Sequence, residues 1–224
     1  MKKTAFTLME ILISLTIIGV VVVLTIPNFV GDTTSKISSV TLKSTYSQVG
    51  DAFKQAMIDQ GVRHIIDLDF QGDDNKEKIS NFLRKYMDAS KDCTSTYTPC
   101  FAGTYKNLSG LEISNPFQCN GKSFSESMKL SNGAAIALYI DFEEDDTSNM
   151  YLLIDINGAD KPNVFGKDTF AAKISPNGDL GSNVKSSDYS SVSADCKKND
   201  DASVAIACFD LLRAKNWDLD NYLN

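Results

Sequence analysis

Apolar residues run almost unbroken from position 6 to position 27, and no charge falls between Ile11 and Gly31. As a helix, about twenty such residues match the hydrocarbon thickness of a bilayer. Further on, Leu42, Tyr46, Val49, Phe53 and Met57 recur at steps of four, three, four and four, which draws one apolar stripe along a helix ending near Gly61. Pro27 and Gly31 lie between the two halves and read as a kinking pair. A second helix is predicted over 75–89, where Ile79, Phe82, Leu83, Tyr86 and Met87 share a face and Asp73 or Asp74 can cap the start. Residues 90–126 have no clean period and carry three cysteines, two prolines and several glycines, so they read as a long loop tied by disulfides.

The period then changes to two. Ile136, Leu138, Ile140 and Phe142 alternate with Ala135, Ala137, Tyr139 and Asp141, and Asn132-Gly133 just before them is a two-residue hairpin turn. Residues 150–156 are nearly all apolar, as in a central strand. Phe170, Ala172 and Ile174 alternate ahead of a Pro176-Asn177-Gly178 turn and a short return at Asp179-Leu180. A serine-rich stretch over 181–194 reads as a surface loop. After it Val204, Cys208, Leu211 and Leu212 mark a short helix, with Asp200 or Asp201 as caps and Arg213 and Lys215 at its dipole-favoured end. Trp217, Leu219 and Tyr222 tuck against the domain in this reading; the alternative is contact with a neighbouring subunit. The sum is an α+β fold: a long N-terminal helix packed on an antiparallel sheet of three to five strands, with a short C-terminal helix.

The chain has 224 residues and a net charge of −7. With one membrane-length segment, about 160–190 residues remain for one domain with its own core. An acidic domain is a poor general ligand for nucleic acid, and none is expected as a partner. Lys2 and Lys3 are the only charges before Glu10. The positive-inside bias therefore places the N-terminus in the cytoplasm and the domain beyond Asp32 outside, as a single-pass membrane protein in contact with lipid.

Five cysteines suit an oxidising compartment. Cys93 and Cys100 enclose a short loop, and Cys196 and Cys208 bracket the last loop-to-helix transition, so these are the expected pairs with Cys119 left over. A swap placing Cys119 where Cys93 stands is the alternative. No CxxC occurs and His64 is the only histidine, so zinc has no ligand set. His64 reads as a loop residue. No phosphate loop or G-x-S-x-G is present, and no enzymatic activity is expected. The aromatics fall at helix and strand spacing, as core. Asn107-Leu108-Ser109 matches a glycosylation sequon, read as a chance match.

Between two strands, Asp155, Asn157, Asp160, Asn163 and Asp168 crowd into fourteen residues with Gly158 and Gly166, and Asp141, Glu143, Glu144, Asp145 and Asp146 lie close before them. Hard oxygen donors at this density suit Ca²⁺, with Asp155, Asn157, Asp160 and Asp168 as candidate ligands. The spacing is not that of an EF-hand. The alternative is an Asx-rich turn whose side chains cap backbone amides.

Glu10 is the odd residue of the apolar run, since a carboxylate near a bilayer centre costs about 2.5 kcal/mol or more unless paired. A cut between Ala5 and Phe6 would create an α-amino group about one helical turn away, in the same chain or facing a neighbour's Glu10. A secretory signal peptide would need a small-x-small cleavage site, which residues 24–30 lack. A plain anchor explains the length but not Glu10.

The short basic leader, a small residue, then Phe6-Thr7-Leu8-Met9-Glu10 and about twenty apolar residues resemble the class III signal of type IV pilins and type II secretion pseudopilins. The resemblance implies a prepilin peptidase that cuts before Phe6 and methylates its amine, with Glu10 guiding subunits into a helical filament. That family usually has Gly before the cut, where this chain has Ala5. The implied organisation is a leader over 1–5, a membrane and assembly helix over 6–30, its amphipathic continuation over 31–61, and a pilin-like roll over 62–224 outside the cytoplasm. The implied partners are the peptidase, other pilin or pseudopilin subunits and an inner-membrane assembly platform. Some secretion pseudopilins hold calcium beside the sheet, and the D-x-N-G…P-N…G-x-D-x-F pattern from Asp155 to Phe170 is similar to one in pilin-like proteins with this leader. Two alternatives remain: a DNA-uptake pilin, and a membrane-anchored calcium- or ligand-binding module that never assembles.

Overall fold

The computed structural model describes residues 7–93, 96–142, 148–198 and 201–223, with side chains described except over 24–35 and 142–149. The chain forms two compact units, Met1–Ile37 and Ser38–Asn224.

Helix α1 spans Leu8–Gln60 and stops at Gly61, whose φ of 69° is the left-handed turn that a glycine takes without strain. The helix continues through Pro27 and Gly31. In the first unit, large apolar side chains from Leu8 to Val23 are exposed, from 82% for Leu8 to 42% for Val22. Among the described residues no helix is long and apolar enough to cross a membrane; the apolar stretch whose side chains are described ends at Val23.

In the second unit the predicted stripe is buried. Leu42, Val49 and Phe53 are wholly enclosed, Tyr46 and Met57 partly so, and Thr45, Ala52 and Ala56 fill the positions between. Helix α2 is Asn75–Tyr86, three residues shorter than expected. Asp74 stands at its N-cap but makes no cap bond; its carboxylate meets Lys78 Nζ at 3.0 Å instead. Phe82 stacks on Phe53 with centroids 4.8 Å apart and meets Phe70 edge-on, which locks α2 to α1.

The sheet has five antiparallel strands in the order β1-β4-β5-β6-β7. These are β1 (Ala89–Asp92), β4 (Glu126–Leu130), β5 (Ala135–Phe142), β6 (Ser148–Asp155) and β7 (Thr169–Lys173), while β2 (Gln118–Cys119) and β3 (Lys122–Ser123) form a separate two-stranded ribbon. The chain turns between β4 and β5 at Asn132-Gly133, but over three residues, 131–133, where two were expected: Leu130 N–H donates to Ala134 O at 2.7 Å, Gly133 N–H donates to Leu130 O at 3.0 Å, and Gly133 has a φ of 92°. Asn132 Nδ2 also donates to Thr45 Oγ1 at 3.1 Å, tying the helix to the turn.

Two expectations fail here. Residues 90–126 are not all loop, since they supply most of β1, the β2–β3 ribbon and the start of β4. Polar, exposed β1 has no alternation to read, because an edge strand with both faces in water needs none. The serine-rich stretch likewise folds partly, as a 3₁₀ turn at Ser186–Asp188 and helix α3 at Tyr189–Asp195.

The pleat splits the interior in two. Ile136, Leu138, Ile140, Leu152, Ile154 and Phe170 face the core shared with α1, α2 and helix α4 (Ser203–Ala214). Ala135, Ala137, Tyr151, Leu153 and Ala171 face a second core built by Phe101, Tyr105, Phe124 and Phe165 of the connecting segments. The C-terminus closes over α1 as expected: Tyr222 is buried, Trp217 lies 5.3 Å edge-on to Tyr46, and Ser39 Oγ donates to Trp217 O at 2.6 Å.

Candidate functional site

Ala5 and Phe6 lie outside the described residues. The site therefore begins at Thr7 and Glu10, three residues apart on the first turn of α1. Thr7 donates to Glu10 Oε2 twice, from its N–H at 2.8 Å and from its hydroxyl at 2.8 Å, and Thr7 Oγ1 accepts from Glu10 N–H at 3.3 Å. This is a reciprocal capping box. The Glu10 carboxylate is held by its own turn, and the Phe6 amine expected to pair with it lies outside the described residues. The signal was present in Thr7-Leu8-Met9-Glu10, a T-x-x-E before an apolar run, and sequence reasoning passed over it.

The other polar side chains up to Val23 are also satisfied. Ser14 Oγ donates to Glu10 O at 2.8 Å and Thr16 Oγ1 to Leu12 O at 2.7 Å. The segment thus combines exposed apolar side chains with polar ones bonded locally.

The Asp155-to-Asp168 loop is built around buried carboxyls. Asp155 is 0% exposed. Its Oδ2 accepts from the Tyr105 hydroxyl at 2.6 Å and from Thr169 Oγ1 at 3.3 Å, and its Oδ1 accepts from Asn157 N–H at 3.2 Å. Asp168 accepts from the N–H groups of Asn163 and Val164, both at 2.7 Å, and lies 3.3 Å from Thr169 Oγ1. Burial pushes Asp155 up to about 8, against the Tyr105 bond, and raises Asp168. Burial, then Asp155, pushes the Tyr105 phenol far up.

Of the four candidate calcium ligands, Asp155 and Asp168 come together through Thr169 but give their oxygens to protein donors. Asn157 turns its amide Nδ2 to the carbonyls of Asp160 and Lys161, at 2.8 and 2.9 Å. Asp160 is an exposed residue. Among the described residues no three His, Cys, Asp or Glu side chains gather as a metal-holding set, and Glu143 to Asp146 lie outside the described residues. The bonds of Asp155 and Asp168 are those of the Asx-rich turn, while Asn157 Oδ1 and Asn163 Oδ1 are buried without a hydrogen-bond partner.

Gly166 serves another purpose. A Cβ there would come within 2.7 Å of Cys208 Sγ and 2.8 Å of the Tyr222 hydroxyl, and that hydroxyl donates to Gly166 O. The loop is therefore the seat on which the C-terminal segment docks.

Both expected disulfides form, Cys93–Cys100 and Cys196–Cys208. Cys119 is free and buried, and burial, with Asp201 nearby, pushes its thiol up to about 12. Asn107 is 2% exposed; its Nδ2 donates to the carbonyls of Lys197 and Lys198 at 3.1 Å each, and its Oδ1 accepts from Ser109 and Leu111. The sequon asparagine is a buried clamp between two loops. Comparison with known family models, curated proteins and solved structures finds no match for this chain.

Proposed function

We propose that this chain is a structural subunit of a type IV pilus-like or type II secretion pseudopilus filament, processed by prepilin peptidase before Phe6 and assembled through its N-terminal helix. The observation that carries the reading is the opening of α1, where an exposed apolar surface begins at a Thr7–Glu10 capping box directly after a two-lysine leader. A soluble domain gains nothing from such a surface and loses solubility by it; a helix stored in lipid and then packed against its neighbours needs it. In this reading residues 6–30 span the membrane, the N-terminus is cytoplasmic, and the α+β unit faces the periplasm or the cell surface. The subunit works mechanically, with helices bundled inside the filament and disulfide-tied domains outside.

Mass spectrometry of the protein from native membranes and from sheared surface material tests this. The expected product lacks Met1 to Ala5, begins at an N-methylated Phe6 and is present in the sheared fraction. Retained Met1 with a monomer in the membrane would overturn the assignment in favour of an anchored binding module.

A further inference from the structure

A cleft between α3, α4 and the β2–β3 turn plays no part in filament assembly as argued above. It encloses about 420 Å³. Val184, Val192, Val204 and Ile206 supply aliphatic walls, and its charged lining residues are Asp195, Lys198 and Asp210.

Asp210 is the unusual member. It is 7% exposed, and its Oδ1 accepts from Ser182 N–H at 2.7 Å. Gly181 makes that approach possible, because a Cβ there would lie 2.6 Å from the same oxygen. Among the described residues no direct ion pair to Asp210 forms, although the Arg213 charge lies near enough to act on it. Arg213, nearly one turn on, donates to Leu180 O and to Asn183 Oδ1, and Lys198 is paired with Asp195 at 2.7 Å.

Buried carboxylates are normally paired, because desolvation without a partner is costly. One that is hydrogen-bonded but has no direct salt bridge, on the wall of an open cleft, is placed to receive a cation from outside. We propose that this cleft takes a lysine or arginine side chain presented by a partner polypeptide, its aliphatic stem against the valines and isoleucine and its cationic head on Asp210. The stem suits the walls and the head suits the carboxylate, so charge and shape select the same ligand.

Burial pushes the Asp210 carboxyl up to about 6, with the Ser182 amide and Arg213 pulling the other way. The groups facing it are thus Arg213 from α4, the Ser182 amide and Ser182 hydroxyl from the loop, and the Asp195–Lys198 pair at the rim. Acidification removes the charge that holds the ligand. Between pH 7.5 and pH 5 the ionised fraction falls about tenfold, and affinity should fall with it.

The test is methyl NMR on the full chain in detergent, following Val184, Val192, Val204 and Ile206. The titrants are short blocked peptides carrying lysine, arginine or uncharged norleucine. Saturable shifts with lysine and arginine but not norleucine, weakened about tenfold at pH 5 and lost in Asp210→Asn, are the expected result. Asparagine keeps the acceptor for Ser182, and the pH arm needs no variant. No saturable shift, equal binding of norleucine, or unchanged binding at pH 5 would each overturn the proposal. None of these outcomes bears on filament assembly, which the N-terminal mass decides separately.

Discussion

Asp155 holds a proton that its unfolded counterpart gives up. Its ordinary value is 3.8 and burial moves it to about 8, so between those values the folded chain binds a proton that the unfolded chain has lost. Stability is then complete below about pH 4, declines as pH rises through the interval, and levels off above about 8. The slope is at most about 1.4 kcal/mol per pH unit, and Asp168, also raised, acts in the same direction. The urea midpoint should therefore drop from pH 5 to pH 8, and Asp155→Asn, which keeps an acceptor for Tyr105, should flatten much of that drop. A wild-type midpoint that rises over this range would refute the account. Gly166→Ala is a second test at this scale. A φ of 83° and the approach of Cys208 and Tyr222 leave no room for a methyl group, so a loss of about 2 kcal/mol or more is expected in denaturant titration.

At the level of elements, the second half of α1 is the member on which the sheet depends. Phe53 is fully buried against Phe82, and Phe53→Ala should cost about 3–5 kcal/mol, read as a shift in the denaturation midpoint. Its stripe was legible because a helix with one wet face must alternate at its own period. So were β5, β6 and β7, each with a buried set of side chains to betray it. Strand β1 was not legible, since Ala89, Ser90, Lys91 and Asp92 are all exposed and show no apolar alternation; the backbone pairs with β4, Ser90 Oγ donates to the carbonyls of Lys129 and Leu130, and Asp92 meets Arg84 of α2. Helix α3 buries no residue and left no pattern either. The 155–168 loop was visible as a cluster of oxygen donors, but composition could not say whether those oxygens serve a cation or backbone amides. The bonds from Asn157, Asn163 and Val164 favour amides. Added Ca²⁺ should consequently leave the thermal midpoint unchanged; an EDTA-reversible rise would restore the calcium reading.

Across the whole molecule, the two bridges fasten regions with little packing of their own to better-packed ones. Cys196–Cys208 closes a separation of 12 residues inside the main core, where Cys93–Cys100 closes 7 under the second. Replacing the 196–208 pair by alanines should cost about 2–4 kcal/mol and loosen the Tyr222 seat, seen as earlier loss of amide protection near Gly166. The fifth cysteine bears on how the protein could be watched. A thiol raised to about 12 and wholly enclosed is thiolate in only about one copy in a hundred thousand at pH 7, so maleimide dyes pass it by. One cysteine introduced on an exposed position could then carry a fluorophore without first stripping the native one, and the protein could be followed in living cells.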